Sequence, residues 1–265
     1  MDLERNYIGW VAGIAALIAV AAIGYNAWRQ TQPVKVPPPV PPAEAPATKP
    51  AVEAQVQHPL PVNETEPLPA LEKSDVLLTE SLAQLLGRTN LSELFVVDGL
   101  VRRIVATVDN LPREKVASRI LPLKPVPGSF AVDQRGDEIV LAPGNAARYS
   151  RYVQLLQSID VKSVAALYVK LYPLFQRAYR DLGYPQGYFN DRVVEVIDHL
   201  LAAPEVRGPI KLMQPKVRYV FADPTLESLS AGQKLMVRIG PDNAARVKSK
   251  LRELRRELTA QPPKQ

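Results

Sequence analysis

The chain has 265 residues, no cysteine, 26 prolines and a formal net charge of +6, so disulfides, thiolate metal sites, cysteine nucleophiles and a lipidated N-terminal cysteine are excluded. Twelve of the prolines fall between Pro33 and Pro69, which leaves about 185 residues for folding, enough to bury one sizeable core without staples. From Ser74 onward 28 Lys and Arg stand against 20 Asp and Glu, a balance that favours anionic surfaces but lies far below the charge density of a dedicated nucleic-acid binder; nucleic acid is not an expected partner.

Residues 1–7 form a short N-terminal tail. From Ile8 to Trp28 runs an uncharged segment, "IGWVAGIAALIAVAAIGYNAW", whose helical length of about 31 Å matches the hydrocarbon core of a bilayer. Trp10, Tyr25 and Trp28 stand near its two ends, as amphipathic rings do at headgroup level. A cleaved signal peptide would have a shorter apolar stretch, a front end more basic than "MDLERN", and a better cleavage site than "YNAW". The segment is therefore expected to be an uncleaved single membrane span.

Residues 29–73 form a proline-rich linker, expected to be disordered and to populate polyproline II; its densest part, Pro33 to Pro69, reaches at most about 115 Å. Flanking charge is sparse: Arg5 and the amino terminus lie before the span, Arg29 and Lys35 after it. Strict counting leans weakly against export. Export to the periplasm is still the expectation, because such a spacer suits a domain carried away from a membrane; a cytoplasmic linker is the alternative.

Residues 74–258 are expected to form one compact, mainly α-helical domain with a small β element, followed by a disordered tail over 259–265. Ser74 or Asp75 can cap a first helix whose face is Val76, Leu77, Leu78, Leu82, Leu85 and Leu86, with Gly87 placed to end it. A second, longer helix spans "NLSELFVVDGLVRRIVATVDN", and Pro112 is placed to open a short third. The period then changes: Phe130 and Val132, a turn at Arg135–Gly136, and Ile139 and Leu141 alternate like a hairpin.

Asn145 opens a helix through Ile159, and Asp160 caps the next, which ends at Gly183. Pro173 inside it predicts a kink or two shorter helices meeting near Tyr172. A helix from Asn190 to about Ala202 follows, then strand character around Val217 to Phe221. Two short segments lead to a last helix, Asp242 to Leu258, whose seam is Val247, Leu251, Leu254 and Leu258. "GNAAR" at Gly144 and "DNAAR" at Asp242 to Arg246 echo one another, but five residues are too few to argue duplication.

The strings "RRIVATVDNLPR", "RYSRYVQLL", "LYPLFQRAYRDLGYPQGYFNDRVVEVIDHLLAAP" and "QPKVRYVFADPTLESLSAGQKLMVRIGPDNAARVKSKLRELR" together resemble the domain of unknown function 3014 family of bacterial envelope proteins. The resemblance covers nearly all of Ser74 to Leu258. It implies a bacterial protein with an N-terminal span and a mostly helical domain, and brings no established activity or catalytic residues with it.

Candidate chemistry gathers on the stretch from Gly183 to Leu201. Val193, Val194, Val196, Ile197, Leu200 and Leu201 follow the spacing of a buried face, leaving Asp191, Arg192, Glu195, Asp198 and His199 on the remainder. Asp191, Glu195 and His199 line one stripe at steps of four, but the second histidine of a helical zinc signature is missing. Asn190 as cap and Asp191 in the first turn suit a helix N-terminus, so a structural polar face is the expected reading.

Tyr168, Tyr172 and Tyr179 share a helical face that is either core, with bonded hydroxyls, or an aromatic groove. Asp109, Asn110 and Arg113 form a polar cluster that an interhelical turn explains equally well. Arg246, Lys248, Lys250, Arg252, Arg255 and Arg256 make the last helix basic, a solvated face or a contact for anionic lipid or an acidic partner. The expected binding surface is Asp109, Asn110, Arg113, Tyr184, Tyr188, Asn190, Asp191, Arg192, Glu195 and His199, with no catalytic residue, metal or cofactor assigned.

The leading expectation is a membrane-anchored, non-catalytic module for a protein or cell-wall partner. The alternatives are an envelope hydrolase or transferase using Asp109, Asp191, Glu195 or His199, and a cytoplasm-facing scaffold.

Overall fold

The structure, a computed structural model, describes residues 55–61 and 67–260. The segment Ile8–Trp28, most of the proline-rich spacer and the last five residues lie outside the described residues. Among the described residues no helix is long and apolar enough to cross a membrane.

Ten α-helices and four short strands follow in chain order among the described residues. The first half contributes α1 (Ser74–Leu86), α2 (Arg88–Leu94), α3 (Leu100–Asn110), β1 (Val132–Arg135), β2 (Glu138–Leu141), α4 (Gly144–Arg148) and α5 (Ser150–Ser158). The second half contributes α6 (Val161–Asp181), α7 (Phe189–Leu201), β3 (Lys211–Met213), β4 (Val220–Phe221), α8 (Pro224–Glu227), α9 (Ala231–Arg238) and α10 (Pro241–Thr259). The fold is thus mainly helical with a small sheet, as expected.

The core lies where α3, α6, α7 and α10 meet. Each supplies an apolar stripe: Ile104, Val105 and Val108 from α3, Tyr168, Leu171 and Phe175 from α6, Val193, Ile197 and Leu200 from α7. The seam expected on α10 is fully buried, with Val247, Leu251 and Leu254 inaccessible and Leu258 nearly so. Burial of side chains of this size contributes about 1.5–3 kcal/mol each, as an upper estimate. Helix α9 packs tightly at Gly232, where an added Cβ would lie 2.6 Å from Leu200 Cδ2 and 3.2 Å from the Leu111 carbonyl.

The sheet is antiparallel throughout, in the order β1-β2-β3-β4. In the expected hairpin Arg135 pairs with Glu138, and Gly136 supplies the positive φ of +62° that the turn requires. Ile210, Leu212, Phe221 and Val237 make a second, smaller core beneath the sheet. Asn145 ties the hairpin to the bundle: buried on α4, its Oδ1 accepts from Ala131 N (3.1 Å) and its amide donates to the Ala131 carbonyl. The two echoed segments also touch, through Asn243 Nδ2 donating to the Ala146 carbonyl (3.0 Å).

Several expectations are corrected. The long second helix is broken between Phe95 and Gly99, because Phe95 runs extended to bridge Leu123 and Gly99 turns left-handed at φ +60°. Pro112 lies in a turn and opens no helix. Val76 is 74% exposed, off the buried face of α1. Pro173 does not divide α6, which runs through it as one helix. Its missing hydrogen bond and steric clash cost about 3 kcal/mol, less than the burial of Leu171, Tyr172, Leu174 and Phe175 around it stabilises.

The packed unit also begins before Ser74. Leu60 and Leu68 pack against the main core, and residues 57–60 are hydrogen-bonded to the start of α7.

Candidate functional site

The first turn of α7 corrects the expected cap. Tyr188 occupies the cap position and makes no side-chain cap bond, whereas Asn190 is inside the helix and fully buried. The orphan donors of the turn are met from α6 instead: Gln176 Oε1 accepts from Phe189 N (2.8 Å), and the Tyr172 hydroxyl accepts from Asn190 N (3.2 Å). Tyr172 in turn donates to Gln176 Oε1 (2.7 Å), and Gln176 Nε2 donates to the Gly187 carbonyl (2.7 Å).

That arrangement decides the tyrosine stripe. Tyr168, Tyr172 and Tyr179 are core residues, and burial pushes the Tyr172 hydroxyl far up from its ordinary range. The expected hydroxyl partner is present for Tyr172 but not for Tyr168, whose hydroxyl is buried without one, as is that of Tyr149 outside the stripe. Burial pushes the Tyr149 hydroxyl up to about 12.

The expected surface residues divide into three groups. Asp109, Arg113, Tyr184, Arg192 and Glu195 come together. Asp109 is only 2% exposed at the end of α3; its Oδ2 accepts from Arg113 Nη2 (2.6 Å) and the Tyr184 hydroxyl (3.2 Å), and its Oδ1 lies 3.3 Å from Arg192 Nη2. Arg192 reaches Glu195 at 2.9 Å and donates to the Asp109 carbonyl (2.8 Å). Burial pulls the Arg192 guanidinium down, but Glu195 and Asp109 outweigh it and hold it above its ordinary value. Its Nε is buried without a partner.

The second group, Tyr188, Asn190 and Asp191, holds the chain that precedes the domain. Asp191 accepts from Gln57 N (3.0 Å) and His58 N (2.7 Å), and the Tyr188 hydroxyl accepts from Leu60 N (3.0 Å). Asn190 Nδ2 donates to the carbonyls of His58 (2.8 Å) and Leu258 (3.2 Å), and its Oδ1 is buried without a partner.

The remaining two residues stand apart. Asn110 donates to the Ala106 carbonyl within its own helix (2.7 Å). His199 Nε2 lies 2.8 Å from Ser230 Oγ; burial lowers its pKa, Glu195 opposes that shift, and Arg192 reinforces it. The stripe of Asp191, Glu195 and His199 thus serves three separate partners. Among the described residues no three His, Asp or Glu side chains gather to hold a metal ion.

A groove of about 350 Å³ lies elsewhere, between the start of α3 and the end of α6 at Gly99, Arg102, Arg103, Arg119 and Asp181. The basic row on α10 is partly internal. Lys248 is buried and donates to the Ala203 carbonyl (2.6 Å), Lys250 donates to the Ile159 carbonyl (2.9 Å), and Arg255 clasps Asp198 (2.6 and 2.8 Å). Arg246, Arg252 and Arg256 remain exposed.

Sequence reasoning did not reach Tyr172 and Gln176 as the cap of α7, or Gln57, His58 and Leu60 as its occupants. The one available signal was Gln176, a polar residue one turn beyond Tyr172 on an otherwise apolar face.

Comparison with known families matches residues 100–255, well over half of the chain, to "Protein of unknown function (DUF3014)". The chain belongs to this family. The match runs from the first residue of α3 nearly to the end of α10 and so takes in the whole sheet and the Asp109–Arg192 cluster. The DUF3014 region leaves out α1, α2 and the segment seated on Asp191. No curated protein and no solved structure matches the chain.

Proposed function

We propose that this DUF3014 protein is a non-catalytic interaction module, held at a bacterial inner membrane by the Ile8–Trp28 segment and displayed in the periplasm on its proline-rich spacer. The membrane reading rests on 21 uncharged residues of bilayer length with aromatic ends. One observation supports binding over catalysis: two of the three acidic groups a hydrolase would use, Asp109 and Asp191, are occupied. Asp109 neutralises Arg113 and Arg192, while Asp191 accepts two main-chain N–H groups. A general base must be within reach of a substrate proton, and a carboxylate enclosed by two guanidiniums and a phenol is not.

Complementation of a deletion strain tests the reading. Glu195→Ala and His199→Ala, each shown to melt as the wild type does, are expected to restore the wild-type phenotype. A chain whose Ile8–Trp28 segment is replaced by a cleavable export signal is expected to fail. Folded Glu195→Ala and His199→Ala proteins that fail, with the untethered chain succeeding, would instead support the hydrolase or transferase.

A further inference from the structure

Residues 57–60 meet α7 through main-chain groups: all four hydrogen bonds between this strap and Tyr188, Asn190 and Asp191 use a strap N–H or carbonyl. Two consecutive N–H groups can converge on one carboxylate only where the chain bends, since in a pleated strand they point to opposite sides. The strap bends at Gln57–His58. Pro59 follows, where no N–H is used, and Leu60 then supplies one N–H and a side chain packed on the core. The requirements on an occupant are therefore two non-proline residues in a bend, a position that tolerates proline, and an apolar residue. Gln55, Val56, Gln57, Pro59 and Pro61 are exposed, while His58 and Leu60 are half-buried, so the occupant lies along the surface.

We infer that Tyr188, Asn190 and Asp191 form a peptide-binding ledge for a bent x-x-Pro-Leu segment of a partner protein, and that the chain's own Gln57–Leu60 is its resident competitor. The inference rests on the interaction-module reading and names its site. Main-chain hydrogen bonds supply affinity in peptide recognition and side-chain contacts supply specificity, the parts played here by the strap N–H groups and by Leu60. Self-occupancy lowers apparent affinity in proportion to the fraction of open ledge. A partner must therefore present its segment at high local concentration, as two proteins held at one membrane do.

The test uses the full chain in detergent micelles and a labelled peptide of the sequence of residues 55–61, QVQHPLP. Gln57→Pro combined with His58→Pro deletes both N–H groups that Asp191 accepts, and is expected to open the ledge and raise peptide affinity by about tenfold or more over the wild type. Adding Asp191→Ala is expected to return binding to background, as is N-methylation of the peptide at the His58 position. Without any variant, the amides of Gln57, His58 and Leu60 in the wild type are expected to exchange slowly with solvent, and faster in excess peptide. Equal peptide binding by the wild type and the opened variant, binding indifferent to Asp191→Ala, or strap amides that are unprotected from the start would each overturn the ledge. Such a result alongside intact complementation by Glu195→Ala and His199→Ala would leave the interaction module standing without this site.

Discussion

Asp109 is the residue most at odds with its surroundings, an acid at the buried end of α3. It is tolerated because two guanidiniums and the Tyr184 hydroxyl replace the water it loses. Asp109→Asn keeps the shape and removes the charge, leaving the mostly buried Arg192 with only the exposed Glu195 as an acidic partner. The variant is expected to lose about 3 kcal/mol of stability in urea unfolding, the low end for breaking a buried pair. Glu195→Ala, by contrast, should stay within about 0.5 kcal/mol of wild type, because that carboxylate is largely solvated. His199 gives a pH dependence. Burial, only partly offset by Glu195, holds its folded pKa below the ordinary 6.5, so the unfolded chain takes up the proton first as pH falls. Its contribution to stability is full above that ordinary value and is lost as pH falls through the folded one. His199→Gln should therefore flatten the stability profile as pH falls below about 7, measured by urea midpoints.

At the scale of elements, the helix ends separate what is legible in sequence from what is not. Asp160 caps α6 locally, accepting from Ser163 N (2.9 Å), and a short-range pattern predicts it. Asp75 looks like a cap for its own helix but accepts from Gly99 N (2.7 Å) and Leu100 N (2.9 Å), and so caps α3 from 24 residues away. Asp75→Ala should accordingly cost about 0.5–2 kcal/mol while acting on α3, with amide exchange quickening at Gly99 and Leu100 rather than in α1. The same logic explains why Asn190 was mistaken for a cap: the donors of α7 are met by Tyr172 and Gln176, and only tertiary packing brings α6 there. Periodicity made the buried stripes of α7 and α10 readable, along with the hairpin at Gly136. The break at Phe95 was not readable, because its cause is a bridge to Leu123 across the fold. Asp109 and Arg113 were readable as a pair by their spacing of four, but not the arrival of Arg192 from another helix.

In the whole molecule, the bundle of α3, α6, α7 and α10 carries the sheet on one side and receives the incoming chain at the start of α7. There Asn190 joins the His58 carbonyl to that of Leu258, so the two ends of the described unit meet on one side chain. The proposed function places a periplasmic domain behind an N-terminal membrane segment. Its most direct test is protease accessibility of the full chain in cells. The domain should pellet with membranes, survive external protease in intact cells, and be digested once the outer membrane is opened, while a cytoplasmic marker remains whole. A domain that stays soluble after lysis, or that resists digestion until the inner membrane is broken, would contradict the account.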